Sequence, residues 1–109
     1  MERPLSALLG KGASWSGNLS FEGRVRIDGT YRGRIYTEDI LEVGEQGLIL
    51  GEVDVAVLVV AGTVEGSVRV RDRLILEPTG VLKGKVEARI LESKPGGRMD
   101  TVLKLGPSL

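Results

Sequence analysis

Cysteine and histidine are both absent from this sequence of 109 residues. Without cysteine the chain has neither a disulfide framework nor a thiol nucleophile, which fits a reducing compartment. Without histidine it lacks the commonest general base and metal ligand. Histidine-containing catalytic triads and histidine-ligated zinc sites are therefore excluded. Carboxylate chemistry and oxygen-ligated metals are left open by these absences.

An excess of charge of one sign is also lacking, because 15 Lys and Arg residues balance 15 Asp and Glu residues. No bulk attraction favours nucleic acid, so we expect no nucleic-acid partner. A chain near zero net charge repels its own copies weakly, which favours self-association. The longest apolar stretch, residues 55–61, is strand-sized and far shorter than the roughly 18 residues of a membrane-spanning helix. The N-terminus lacks the pattern of a secretory signal, and we expect a cytoplasmic protein.

A glycine repeat, Gly-x-x-x-Gly, runs along the chain. Its copies begin at residues 29, 47, 62 and 80, and a degenerate copy begins at residue 13. The steps between copies are 16, 18, 15 and 18 residues, which is typical of the coils of a narrow solenoid. We interpret both glycines of each pair as corner residues that turn through positive φ. These corner glycines are Gly29, Gly33, Gly47, Gly51, Gly62, Gly66, Gly80 and Gly84. A phosphate-binding loop is disfavoured, because it would need a following Lys-Ser/Thr and a helix.

Apolar residues recur at fixed offsets within each copy. The third, seventh and ninth positions are mostly aliphatic, and a second apolar pair follows at period two. Such alternation, rich in β-branched residues, predicts strands. Equal offsets stack like residues about 4.8 Å apart in neighbouring coils. The predicted fold is an all-β, single-stranded parallel β-helix of about five to six coils. Its seventh offset forms an inward core stack of Leu19, Ile35, Val53, Val68 and Val86.

Charged residues occupy the offsets that point outward. Asp54, Arg69 and Glu87 share the eighth offset and alternate in sign, which predicts register-fixing pairs between strands. A carboxylate pair for hydrolysis is disfavoured, because an intervening arginine and a solvated surface do not raise a carboxylate pKa. An enzyme on a left-handed β-helix is disfavoured too, since such enzymes have strict six-residue periodicity and histidines in their sites. We expect no catalytic, cofactor or metal residues.

The N-terminal half is also similar to a known family. Residues 8–12 (Leu-Leu-Gly-Lys-Gly), 17–23 (Gly-Asn-Leu-Ser-Phe-Glu-Gly) and 25–29 (Val-Arg-Ile-Asp-Gly) resemble the opening of the bactofilins. Bactofilins are bacterial cytoskeletal proteins that form polymers. Residues 41–44 and 59–66 are similar to the family as well, so the resemblance covers most of the chain.

The resemblance implies a right-handed β-helix that assembles without nucleotide into filaments, which scaffold cell shape or polarity at the membrane. We therefore expect a structural protein rather than an enzyme, with no cofactor and no small-molecule substrate, whose partner is another copy of itself. The expected β-helix domain spans residues 8–105, between short flexible tails at residues 1–7 and 106–109. A monomeric or oligomeric β-solenoid binding module is the alternative function.

The two ends of the predicted β-helix carry no polar helix or charged cap. A solenoid end exposes unpaired backbone groups and an apolar cross-section, so apolar ends favour stacking between copies. The resemblance favours a filament without polarity, whereas the spacing does not decide. The family commonly closes its last coil with Gly-x-x-Phe-x-Gly, and Met99 stands at the Phe position. We expect polymer contacts at the N-terminal end through Leu8, Leu9 and Trp15, and at the C-terminal end through Leu91, Met99 and Val102.

Two interpretations are open for the N-terminal tail. Membrane contact at the inner face of the cell membrane would use Met1 and Leu5, its two strongly apolar residues. A single weak anchor binds a membrane only marginally, which favours a disordered tail for one isolated copy.

Overall fold

The computed structural model describes residues 12–106, which form parallel β-strands wound into one stack of coils. Within that range there is no helix. The strands are β1 (Ser14–Phe21), β2 (Arg24–Ile27), β3 (Thr30–Thr37), β4 (Ile40–Val43), β5 (Leu48–Val60), β6 (Thr63–Leu76), β7 (Val81–Ser93) and β8 (Arg98–Leu105).

Successive coils lie on one another in parallel register. β1 and β2 form the first coil and β3 and β4 the second, whereas β5, β6 and β7 each run through a whole coil. β8 pairs with the first part of β7 and begins another coil. Gly17 pairs with Gly33, and Gly33 with Gly51, so one copy of the glycine repeat is one coil. The predicted all-β parallel β-helix is confirmed.

The core is a column of aliphatic side chains inside the coils. Residues at the seventh offset pair in register between neighbouring coils, and Ile35, Val53, Val68 and Val86 are at most 3% exposed. Leu19, in the first coil, is partly buried and packs against this core. Each fully buried aliphatic side chain of this size stabilises the fold by ~1.5–3 kcal/mol relative to an exposed one. Stacking is essential, because one coil cannot bury its inner face alone.

The second glycine of each repeat forms a ladder through the strands. Gly33, Gly51, Gly66 and Gly84 pair in register and have φ between 108° and 139°. Residues with a Cβ rarely adopt this conformation. A Cβ at Gly66 would also overlap the carbonyl oxygen of Gly51 in the preceding coil. These positions therefore exclude every side chain, both by conformation and by lack of space.

Glycine is required at the first position of the repeat for a different physical reason. Gly29, Gly47, Gly62 and Gly80 are buried at the start of their coils, and none has positive φ. A Cβ at Gly62 would overlap the carbonyl oxygens of Gly44 and Gly47. The prediction that both glycines turn through positive φ is thus wrong for the first one; close approach of the backbone requires glycine at Gly47, Gly62 and Gly80 instead.

Each 18-residue step accommodates an extra tight turn. The amide of Gly47 donates a 2.8 Å hydrogen bond to the carbonyl of Gly44, and the amide of Gly80 donates one of 2.9 Å to Glu77. A third turn of this kind, closed by the amide of Gly97, precedes β8. The added residues are absorbed at one corner, so the strands on either side keep their register.

Candidate polymerisation surfaces

We first searched residues 12–106 for a metal site and for a membrane-spanning helix. No group of Asp and Glu side chains in that range is arranged to hold a metal ion. None of its segments is a helix long and apolar enough to cross a membrane. The large exposed hydrophobic side chains lie mostly on the first and last strands, namely Trp15, Val102, Leu103 and Leu105, with Tyr36 between them.

The N-terminal end is formed by the first coil, β1 and β2, and β1 has β3 as its single strand neighbour within the described residues. Trp15 is the first member of the third-offset column and is 47% exposed. Leu19 and Phe21 are partly buried and pack against the core. An exposed indole beside a strand edge is a surface that a second copy could cover. The predicted contacts Leu8 and Leu9 lie outside the described residues.

Tyr31 lies in the second coil, directly below the N-terminal end, and links the first two coils. Its ring lies in register with Trp15, and its hydroxyl donates a 2.8 Å hydrogen bond to the carbonyl oxygen of Gly17. The side chain is 1% exposed. Burial disfavours the phenolate and raises the pKa of Tyr31 above its ordinary value of 10.0. At neutral pH the first and second coils are therefore joined by an uncharged, hydrogen-bonded tyrosine.

The C-terminal end is formed by β8, whose single neighbour in the described range is β7. Its inward residues Met99, Leu103 and Leu105 continue the third, seventh and ninth columns. Leu103 and Leu105 are 38% and 50% exposed, whereas Met99 is partly buried against the core. Leu91 ends the apolar column of the second half of β7 and is also partly buried there. Four inward apolar residues thus form the last layer of the stack.

Leu103 and Leu105 are not among the contacts predicted from the sequence. A further copy of the repeat that begins at Gly97 places them at the seventh and ninth offsets. This copy is hard to recognise because Thr101 stands where the second glycine is expected. Thr101 does not have positive φ, so β8 lacks the glycine conformation of the strands before it.

Val102 does not lie in the inward layer. It pairs with Lys85, shares the outward sixth offset and is 72% exposed. Val102 therefore does not continue the apolar column to which Leu91 and Met99 belong, and its position gives no support to the polymer contact predicted for it. Its side chain belongs to the side of the solenoid, because alternate residues of a strand point to opposite faces.

The side of the solenoid at the sixth and eighth offsets is charged, and most of its charges pair within the chain. Arg34 lies 3.1 Å from Glu52, and Arg69 lies 4.0 Å from Glu87. Asp54, Arg69 and Glu87 lie in register as predicted, but the carboxylate of Asp54 pairs with Arg71 at 3.2 Å rather than with Arg69. Exposed pairs of this kind stabilise by about 0–1 kcal/mol each. This side is charged and hydrated, in contrast to the apolar ends.

A parallel β-solenoid with apolar first and last layers belongs to a class of proteins that can stack through their ends. A family model described as Bactofilin, polymer-forming cytoskeletal, matches residues 7–104. The chain therefore belongs to the bactofilin family of polymer-forming cytoskeletal proteins, as its N-terminal motifs indicate.

A solved structure supports the same assignment. The chain is similar to the Thermus thermophilus bactofilin, whose double helical filaments were reconstructed by cryo-EM. The TM-score is 0.80 at 28% sequence identity, over 91% of this chain and 99% of that chain. A comparison with curated proteins gives no match.

Proposed function

We propose that this bactofilin assembles end to end into filaments, without nucleotide, and that the filaments act as a scaffold for cell shape or polarity rather than as an enzyme. The observation that carries the proposal is the exposure of inward residues at both ends, with Trp15 on β1 and Leu103 and Leu105 on β8. These side chains continue the core columns, so another copy would extend the same column across the junction.

End contact has two favourable consequences at once. It removes apolar surface from water, and complete burial of a leucine side chain contributes ~1.5–3 kcal/mol. It also gives partners to the backbone groups on the outer edges of β1 and β8, which have one strand neighbour each in the described range. Because both ends have these properties, association can continue beyond a dimer.

The proposed filament has no polarity, with like ends in contact. Like ends form isologous contacts, in which the same surface is used by both copies. Two such contacts, one between N-terminal ends and one between C-terminal ends, alternate along the filament. Double helical filaments are established for the similar Thermus thermophilus protein, and we extend that arrangement to this chain.

The proposed place of the filaments is the cytoplasm, at the inner face of the cell membrane. The segment that would make membrane contact, including Met1 and Leu5, lies outside the described residues. Polymerisation would strengthen membrane binding by a weak N-terminal anchor. A marginal anchor on one copy becomes a strong one when many copies are linked.

A substitution at the C-terminal end tests both assembly and polarity. Leu105→Arg should leave folding almost unchanged, because Leu105 is 50% exposed, yet it should place an unpaired charge in the junction. We expect sedimentation to show dimers joined through their N-terminal ends. Val102→Arg, on the same strand but outward, is the matched control and should still form filaments.

Three results of this experiment would contradict parts of the proposal. Long filaments of folded Leu105→Arg would exclude the C-terminal end from the contact. Monomers of that variant would indicate head-to-tail contacts, since one blocked end then prevents every contact. A wild-type protein that sediments as a monomer at all concentrations would favour the binding module instead.

A further inference from the structure

An outward patch of aliphatic side chains lies on one side of the solenoid, away from both ends. This side is the sheet of β2, β4 and the second halves of β5, β6 and β7, here called the β4 face. Its inward residues are buried from β2 to β6, and alternation places the residues between them outward. Five of these outward residues, here called the aliphatic patch, are Ile40, Val57, Val59, Ile75 and Ile90.

The aliphatic patch is continuous across four coils. Ile40 pairs with Val57, Val59 follows on the same strand, and Val59 pairs with Ile75. Ile90 pairs with Arg73 and is therefore diagonal to Ile75. Diagonal neighbours in a sheet are within reach of long side chains. All five members of the patch are partly exposed.

The other two sides differ from the β4 face. The side at the sixth and eighth offsets carries the charged pairs Arg34–Glu52 and Arg69–Glu87. On the side at the second and fourth offsets, the aliphatic group is smaller. Leu48 and Leu50 are paired with Thr63 and Glu65, which separate them from Val81 in the next coil.

Charged residues at the rim of the patch are paired within the chain. Arg24 lies 3.3 Å from Glu42, and Arg73 is paired with Glu92. A contact on this face would therefore cover apolar side chains without bringing isolated like charges together. Contiguous exposed apolar groups with a polar rim are typical of interaction sites.

We propose that the aliphatic patch is the lateral contact between the two strands of a double filament, packed on the same patch of a second copy that runs in the opposite direction. This inference rests on the proposed function, which already requires filaments with a lateral surface. The contact need not be strong in one protomer, because a filament repeats it at every protomer.

Charge complementarity selects the opposite direction. A two-fold axis parallel to the β-strands, passing between Val57 and its copy, places Val57 and Val59 against their own copies and Arg26 of one protomer opposite Glu92 of the other. The apolar stems of three charged side chains then cover the isoleucines of the partner's patch, with Arg24 over Ile90, Glu42 over Ile75 and Arg73 over Ile40. Protomers whose coils stack in the same direction, related by an axis midway between Val57 and Val59, would instead place Arg24 opposite Arg26, two like charges. Within one protomer Arg26 and Glu92 are four coils apart, about 19 Å at the spacing of stacked strands. A direct ion pair between them must therefore join two copies.

The first test is a pair of matched lysine substitutions in the third coil. Val59→Lys places a charge in the patch, whereas Leu50→Lys replaces a partly exposed aliphatic on another side of the same strand. We expect cryo-EM to show single filaments for Val59→Lys and double filaments for Leu50→Lys, with similar melting temperatures. Double filaments of Val59→Lys, or loss of pairing in both variants, would overturn the proposal.

The second test exchanges charges and does not depend on how Val59→Lys folds. Arg26→Glu and Glu92→Arg should each reduce the fraction of double filaments, and the double variant should restore it. Local effects, such as loss of the 2.9 Å pair between Arg26 and Asp28, persist in the double variant and cannot produce rescue. An absence of rescue would contradict the opposite-direction contact.

Two further results distinguish this inference from the proposed function and from another occupant. Wild-type protein that forms no filaments contradicts the proposed function, whereas wild-type filaments that are always single contradict the lateral contact alone. If Val59→Lys instead weakens sedimentation with phosphatidylglycerol vesicles while pairing persists, the patch is a membrane contact and the proposal is wrong.

Discussion

Val68 shows how little freedom an inward residue has in this solenoid. It is 3% exposed, and Val53 and Val86 lie in register with it in the neighbouring coils. Its chain neighbour Ser67 shares the same backbone ladder but points outward and is exposed. The two positions therefore differ in burial although they are adjacent in the same strand.

Val68→Asp should destabilise the fold by roughly 3–5 kcal/mol or prevent folding, because a carboxylate without a partner is costly to bury. Ser67→Asp, its control, should stay within about 0.5 kcal/mol of wild type, as is usual at exposed sites. Thermal unfolding followed by circular dichroism measures both. Equal melting of Val68→Asp and wild type would show that this column does not form the core.

The burial of Tyr31 predicts that the protein loses stability at alkaline pH. The folded-state pKa of Tyr31 is raised above the 10.0 of an exposed tyrosine by burial, so the unfolded chain releases the phenolic proton first. The contribution of Tyr31 to stability is fully present below pH 10 and is lost as the pH rises through the folded-state pKa.

Urea unfolding at stepped pH should show this fall in the stability of the wild-type protein. Tyr31→Phe should be less stable at neutral pH, where it lacks the bond to Gly17, and should show a shallower alkaline fall. Parallel pH curves for the two proteins would be inconsistent with a titrating Tyr31.

At the scale of the strands, the corner after the ninth offset is the irregular element. β6 has one residue more than β5 and β7 there, and the register shifts on both sides. The extra length lets Arg71 reach back over two coils. Its guanidinium pairs with Asp54, lies 5.1 Å from the ring centroid of Tyr36 and donates to the carbonyl of Thr37.

Arg71→Ala should lower the free energy of unfolding by about 1–2 kcal/mol, since a cation–π contact and a charge-assisted hydrogen bond are lost together. Arg89→Ala is the control, because Arg89 occupies the corresponding corner of the next coil and makes one exposed pair with Asp72 at 3.4 Å. Chemical denaturation should show the larger effect for Arg71. Equal effects would mean that the contacts across coils add no stability.

The coils themselves were predictable from the sequence, because each offset in the repeat is one register position in the sheet. The pairs Gly51–Gly66 and Val53–Val68 follow directly from that rule. β8 was less predictable, since Thr101 interrupts the glycine pattern that marks a copy. The reach of Arg71 could not be predicted from spacing, because a long side chain contacts residues that no offset relates to it. The aliphatic patch is visible only once coils are stacked and outward residues of different copies become neighbours.

At the scale of the whole molecule, the same inward apolar columns account for both folding and assembly. The same columns that bury Val53 and Val68 inside the protomer reach solvent at Trp15 on one end and Leu105 on the other. The charged side remains hydrated, so growth is directed along the axis of the coils. Assembly in this account needs only apolar surface and strand edges. Polymerisation should therefore proceed after divalent metal has been removed with a chelator and nucleotide by gel filtration.

The most direct test of end-to-end assembly is a cryo-EM reconstruction of filaments formed by the wild-type protein after removal of metal and nucleotide. We predict a continuous β-helix through every junction, with β1 next to β1 of one neighbour, β8 next to β8 of the other, and Trp15 and Leu105 buried between copies. Protomers joined through their charged sides, with Trp15 and Leu105 in solvent, would contradict the account, as would filaments that appear only when nucleotide or metal is restored.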